Sequence, residues 1–235
     1  INKSRQENNR EVIMIVPDQY TLQAERDAFF YLKENILLDM EIVSFSRLAT
    51  IILSETGGGR KTLIDKRGRH MLLFRILMKI ENELELYKGS CSNRAFIDMT
   101  NNFISEMKQY GVSPEMLAEI KENVDDKSFL YRKLSDIEKI YTEYEKSIKG
   151  KYIDTEDQID IFSAKISESK KIQKKTVWVY GFDYFTPKNL QIISKLRDAS
   201  ARVNIVMTWD DRGPDKKLFG ITGEMIKKLR PENCF

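Results

Sequence analysis

Hydrophobic and polar positions follow two different rhythms along this chain. At both ends, short unbroken apolar runs stop at Pro or Gly; between them, apolar residues return every three or four positions. EVIMIV (11–16), closed by Pro17, predicts a buried parallel strand, because a strand covered on both faces has no polar side to show. LQAERDAFFYLKEN (22–35) predicts a helix and MEIVSF (40–45) a second strand. Ser46 is placed to cap the following helix, RLATIILSE, before Gly57, Gly58 and Gly59 break the chain.

From about residue 65 to 165 the helical rhythm dominates and no clear strand is visible. HMLLFRILMKI (70–80) is strongly apolar. In AFIDMTNNFISEMKQY (95–110), Phe96, Met99, Phe103, Met107 and Tyr110 fall on one face. Ser113-Pro114 reads as a helix start with proline at its first position. FLYRKLSDIEKIYTEYEKSI (129–148) sets Leu130, Leu134, Ile137, Tyr141, Tyr144 and Ile148 on one stripe. Core packing is the plain reading of these stripes.

Strand grammar returns at TVWVY (176–180). Thr186 and Pro187 open a helix over 189–200, and RVNIVMTW (202–209) predicts another strand. Strand, helix, strand at this spacing is a βαβ unit, which requires parallel pairing. The predicted fold is α/β: a parallel sheet with flanking helices, interrupted by an all-α insertion. The corresponding boundaries are 1–64 and 169–235 for the two α/β parts and 65–168 for the insertion.

Composition adds limits. With 235 residues, 41% hydrophobic and 32% charged, the chain can build a real core and is not of the disordered class. A net charge of +3 neither demands nor excludes a polyanionic partner, since local patches decide. Cys91 and Cys234 form no CxxC pair, which fits a reducing compartment and no local zinc site. No apolar run reaches membrane-spanning length and no signal peptide is visible, so a cytoplasmic location is expected. The chain opens on Ile1 rather than Met and stops at Asn233-Cys234-Phe235, and so reads as a piece of something longer.

The strand end at VWVYGFDYFTP (177–187) is the sharpest clue to chemistry. A nucleotide-driven motor places Asp, and usually Glu beside it, at such an end to hold Mg²⁺ and water. Here Tyr180-Gly181-Phe182 stand instead, and Asp183 lies beyond the strand. No GxxxxGK[ST] phosphate loop is present; GGGRKT (57–62) has the wrong spacing, follows a helix, and reads as a linker. KYIDTEDQID (151–160) clusters Asp154, Glu156, Asp157 and Asp160, which could bind Mg²⁺ for nuclease chemistry or could be a solvated helix start. His70, beside Arg67 and Arg69, has no nucleophile partner in the sequence pattern.

Ligands of open parallel sheets bind at the carboxyl ends of the strands. Gln19, Thr21, Phe45 and Arg47 would sit on that edge, joined by Phe182. Gln pairs bidentately with adenine, Arg with guanine, and Phe stacks on an unpaired base. The competing reading makes Gln19 and Thr21 helix caps, Phe45 core, and Arg47 the partner of an acid.

VPDQYTLQAER, EIVSFSRLA, YIDTEDQI and YGFDYFTP, in this order and over nearly the whole chain, resemble the AddB subunit family of bacterial AddAB helicase–nucleases. KLSDIEKIYTEYEKSI also looks like that family. The resemblance implies a degenerate superfamily 1 helicase domain: a P-loop NTPase-like 1A domain, here lacking its first strand and P-loop, with a helical 1B insertion. It implies double-strand-break repair by recombination, an AddA partner, and DNA ends as substrate. It also implies scanning of single-stranded DNA for the regulatory Chi sequence by positions matching Gln19, Thr21, Phe45, Arg47 and Phe182. ATP with Mg²⁺ and a 4Fe-4S cluster belong, by the same resemblance, to parts of the longer family member outside this stretch; no metal site, catalytic residue or cofactor is assigned here, and Cys91 and Cys234 are not assigned to the cluster. The chain departs from the family pattern at Tyr180, where Asp is frequent, and at Thr50, where some members carry an aromatic residue. Two other readings stay open: a protein-interaction scaffold for AddA without DNA contact, and a metal-dependent nuclease built on Asp154, Glu156 and Asp157.

Overall fold

The structure is a computed structural model of the chain and describes residues 11–33, 39–57, 62–210 and 216–229. In chain order the elements are β1 (Val12–Ile15), α1 (Thr21–Leu32), β2 (Met40–Val43), α2 (Phe45–Thr56), β3 (Thr62–Leu63), α3 (Lys66–Ile80), α4 (Arg94–Tyr110) and α5 (Pro114–Glu122). There follow α6 (Phe129–Ile148), β4 (Tyr152–Ile153), α7 (Thr155–Lys165), β5 (Thr176–Tyr180), α8 (Pro187–Ala199), β6 (Arg202–Val206) and α9 (Lys216–Leu229). They form two compact units: Ile1–Gly58 with Ile159–Phe235, and Gly59–Gln158.

The first unit is built on a parallel sheet in the order β2-β1-β5-β6. The unbroken apolar runs have their cause in its two covered faces. Ile13, Ile15, Val177 and Val179 point into one core with Leu48, Ile52, Phe162, Ile192 and Leu196 from the helices. Val12, Met14, Met40 and Ile42 point into the other, against Ala24, Ala28 and Leu32 of α1. Each fully buried Leu, Ile or Phe contributes about 1.5–3 kcal/mol relative to exposure, so these two layers carry the unit. Thr186 caps α8 by accepting from the Asn189 N–H, with Pro187 opening the helix, as its residue types predict.

Two boundaries differ from expectation. β2 ends at Val43, and Ser44 rather than Ser46 caps α2, its hydroxyl accepting from the Arg47 N–H. Ser44 has the extended backbone that a cap requires, whereas Ser46 is already helical. β6 ends at Val206, short of the expected Trp209. The tail of the predicted first helix (residues 34–35), Gly58 and Gly59 of the linker, and Cys234 lie outside the described residues.

The Gly59–Gln158 unit packs α3, α4, α5 and α6 around Leu73, Leu77, Ile104, Ile140, Tyr144 and Ile148. It is not purely helical: β3 and β4 pair in parallel through Thr62–Tyr152 and Leu63–Ile153. Strands of two residues are too short to leave a period in the sequence. Asp65 caps α3 by accepting from the Gly68 N–H at 2.7 Å, and Ser113 with Pro114 opens α5 as predicted. On α4 the buried face is Phe96, Ile97, Thr100, Asn101, Ile104 and Lys108, while Met99 and Tyr110 are exposed. The expected face is therefore rotated, because polar Thr100 and Lys108 find partners inside and take core positions. Leu130 of the α6 stripe is also exposed. Asp136, fully buried, is satisfied by accepting from the backbone N–H groups of Glu85, Leu86 and Tyr87.

Candidate functional site

All four strands run the same way, so Ile15, Val43, Tyr180 and Val206 end at one rim of the sheet. The rim is stitched together by short contacts. The Val16 N–H donates to the Val43 carbonyl at 2.9 Å, tying the ends of β1 and β2. After β1, Pro17 starts a tight turn in which the Tyr20 N–H returns to the Pro17 carbonyl at 2.9 Å. The Ser46 hydroxyl donates to Asp18 at 2.5 Å and shares a 2.9 Å contact with Ser44. This chain fixes the first turn of α2 against the β1 turn and sets Arg47 and Gln19 on the rim, both exposed. Neither side chain has a hydrogen bond or ion pair among the described residues. Thr21 is engaged, its hydroxyl donating to the Asp18 carbonyl at 3.1 Å.

The end of β5 is bracketed by aromatic rings. On one side Tyr180 lies 6.0 Å from Tyr20. The Tyr20 hydroxyl donates to Asp27 at 2.8 Å, and that bond, helped by burial, pushes its phenol up to about 12. On the other side Phe45, Phe182 and Phe185 form a run of rings at 5.6 and 5.3 Å. Phe45 is only 7% exposed, so it belongs to the core and supports Phe182 from beneath; it does not stand on the rim as expected. Between the two groups Gly181 turns the chain at φ +82°, and a Cβ there would sit 3.4 Å from the Pro17 ring. A side chain at this position would combine backbone strain with a tight contact.

The rim presents the exposed Arg47 and Gln19 together with Phe182, which is partly buried against the core. It lacks the paired strand-end acids of a motor: Tyr180 occupies the β5 end, and Asp183 is exposed on the turn beyond it. Among the described residues no three His, Cys, Asp or Glu side chains converge as metal ligands, and Cys91 is buried and unpaired, so these residues do not fit an iron–sulfur cluster.

The acidic cluster does open a helix, α7, as expected, but it is not solvated throughout: Asp154 and Glu156 are buried in an ion network that Asp157 joins, while Asp160 is exposed. Lys108 reaches Asp154 at 2.6 Å, Asp157 at 2.8 Å and Glu145 at 2.9 Å. Asp154 also accepts from the Tyr144 hydroxyl at 3.2 Å and from the Asp157 N–H at 2.9 Å. Glu156 pairs with Arg69 at 2.8 Å, and Arg69 donates on to Ser105. Burial opposes charge on Lys108, but Asp154 and Asp157 outweigh it and hold the ammonium protonated well above the usual lysine range. Burial likewise opposes the Asp154 carboxylate, and Lys108 overcomes it, so its carboxyl lies below the usual range. Carboxylates already neutralised in this way are not disposed to collect Mg²⁺, and the nuclease reading loses its geometry.

A family model described as "ADDB, N-terminal" matches residues 1–232 of this chain. The chain belongs to the AddB N-terminal family. Among its relatives, a Ruminiclostridium cellulolyticum protein is 33% identical over 208 residues, covering 88% of this chain and 18% of the relative. A Clostridium kluyveri protein is 34% identical over 206 residues, again 88% and 18%. One from Alkaliphilus metalliredigens is 32% identical over 230 residues, 97% of this chain and 20% of its own length. All three are named as subunits of an ATP-dependent helicase/deoxyribonuclease. The chain thus spans 18–20% of the length of these curated relatives.

In this AddB-family chain, Gln19, Thr21, Arg47 and Phe182 meet at one rim, while Phe45 lies under it. Thr50, where some members carry an aromatic residue, is exposed on α2 and bonds back to the Ser46 carbonyl at 3.1 Å. Sequence reasoning missed Tyr20 and the Asp18–Ser46–Ser44 stitch. The PDQY stretch held the signal for Tyr20, since a residue that close to a strand end must lie near the rim; the Asp18–Ser46 contact joins residues 28 apart and had none.

Proposed function

We propose that this chain is a helicase-like module without motor chemistry of its own, whose rim binds single-stranded DNA. In this reading it works inside a two-subunit helicase–nuclease that processes double-strand DNA ends for recombination, and it helps that complex, with its AddA partner, recognise a regulatory Chi sequence. The observation that carries the reading is the pair Gln19 and Arg47. They are exposed and without protein partners among the described residues, on a strand-end rim whose β5 slot offers Tyr180 where a motor would need an acid. Arg47 and Gln19 supply hydrogen bonds to base edges or phosphates, and Phe182 supplies a stacking surface.

Fluorescence anisotropy with single-stranded DNA tests this, comparing the full chain with Arg47→Ala. A base contact predicts a loss of about 1–3 kcal/mol on the matched sequence and little on a scrambled one. A phosphate contact predicts a uniform loss and a smaller salt slope. Unchanged affinity on both strands would remove the rim from the account.

A second reading, a docking surface for the partner subunit, is favoured by α3. Met71, Phe74 and Met78 share one helix face and are 72%, 43% and 44% exposed. If this face docks the partner, Met71→Glu weakens subunit association by at least about tenfold, a typical loss at a buried contact. Co-purification and sedimentation measure it, and an undisturbed complex argues against the docking role.

A further inference from the structure

We propose that the opposite, amino-terminal end of the same sheet carries a second contact, in which the lysine loop before β5, with Arg202, grips the phosphate backbone of duplex DNA. The choice of DNA as the polyanion rests on the function proposed above. The surface itself does not, since it stands at the other ends of the strands from Gln19 and Arg47.

The loop is SESKKIQKKT (167–176), with Lys170, Lys171, Lys174 and Lys175 inside it. Its backbone is held from below. Ile172 is buried in the sheet core, the buried Ser169 hydroxyl donates to Glu55 at 2.6 Å, and the Lys170 N–H donates to the same carboxylate at 2.9 Å. The Ala201 N–H reaches the Lys175 carbonyl at 2.9 Å, and Thr176 is in register with Arg202, so β6 brings a further cation alongside.

Charge at this end is not balanced. Lys170, Lys171, Lys174 and Arg202 are exposed and have no carboxylate within ion-pair distance among the described residues. Of the nearby acids, Glu11 pairs with Lys175, Glu168 with Lys165 and Asp198 with Arg197; Glu55, held by the loop's own Ser169 hydroxyl and Lys170 N–H, also attracts Lys171 and offsets one of the loop's charges, which leaves Lys170, Lys174 and Arg202 uncompensated among the described residues. Lys174 also sits at φ +67°, in the left-handed region. Glycine takes that conformation without steric cost, so lysine here gives up some stability and gains an ammonium.

The ligand follows from what the loop has and lacks. It contains no aromatic residue, so it offers unpaired bases nothing to stack on; its contacts suit phosphates and carry no sequence information. Duplex DNA presents one negative charge per about 1.7 Å of axis. A fixed row of cations therefore releases more counterions on a duplex than on a single strand.

The test is anisotropy of the full chain on a labelled duplex of arbitrary sequence, titrated with salt. Four proteins are compared: the unaltered chain, Lys171→Gln, the double variant Lys171→Gln with Lys174→Gly, and Arg47→Ala. The double variant should bind the duplex at least about tenfold more weakly near 0.1 M salt, with the slope of log affinity against log salt smaller by about two. Its Tm should be unchanged or higher, because glycine suits the Lys174 backbone; Lys171→Gln alone, with no backbone change, should show about half the loss of slope. Arg47→Ala should leave duplex binding within about twofold. Equal duplex affinity and slope in the unaltered and lysine-loop proteins, or no duplex binding by either, would overturn the proposal. So would a lysine-loop effect confined to anionic phospholipid vesicles, which would assign the patch to a membrane surface. Loss of single-strand binding in Arg47→Ala with an inert lysine loop would leave the rim standing and remove this inference alone.

Discussion

Two groups of charged and polar side chains stand in opposite surroundings in this molecule. In the Gly59–Gln158 unit, Lys108, Asp154 and Glu156 are buried, and each has an opposite charge within 2.8 Å. At the rim of the other unit, Arg47 and Gln19 are exposed and have no protein partner among the described residues, although Ser44, Ser46 and Asp18 hold the backbone beneath them. In the sequence, both the acidic cluster and the rim offered residue types that a functional site uses, and the cluster was the weaker candidate. Burial and pairing separate them: the first group has spent its charge on the fold, and the second has kept it available.

The largest effect that this contrast predicts is on stability. Lys108→Met leaves Asp154, Asp157 and Glu145 without their cation, and should cost about 3–5 kcal/mol in urea unfolding, as broken buried pairs do. A cost below about 1 kcal/mol would mean that the network is dispensable. Its pH dependence has a defined sign. Asp154 has a lowered folded pKa, so its contribution is present above the ordinary aspartate value of about 3.9 and is lost as pH falls through the folded value. Lys108 has a raised one, so its contribution is present below about 10.4 and is lost only as pH rises through the folded value. Asp157, raised by burial and by the charge of Asp154, works in the opposite sense and favours the fold as pH falls. The stability gap between the unaltered chain and Lys108→Met should therefore be widest between about pH 5 and 10 and should close in stronger acid. A gap that is constant with pH would contradict the assignment.

Next in size is the loss of DNA affinity in Arg47→Ala, which should come with no change in unfolding midpoint. The smallest effect joins the two properties. Ser44→Ala removes the α2 cap and should cost about 1 kcal/mol of stability. Because it also loosens the turn that carries Arg47, it should weaken single-strand binding by less than Arg47→Ala does. Full affinity in the cap variant would show that the stitch does not position Arg47.

The parallel sheet was legible because strands covered on both faces lose alternation, and EVIMIV and TVWVY show this plainly. Helix starts with Ser or Thr before Pro, at Ser113 and Thr186, were legible for the same local reason. The α4 face was not. Lys108 and Thr100 count as polar in any periodicity, yet both are inside, and only the partner 46 residues away in Asp154 makes Lys108 a core residue. At the rim, the residue types of Gln19 and Arg47 were visible, but whether an acid already held Arg47 was not. Phe45 was misplaced because β2 stops at Val43, before its apolar run ends.

Hydrogen–deuterium exchange of the full chain, with and without single-stranded DNA, tests the central contrast most directly. Exchange should slow at residues 17–21, 44–48 and 181–186 and stay unchanged across 144–157, where the paired network lies. Protection confined to 144–157, or none at the rim under saturating DNA, would contradict it.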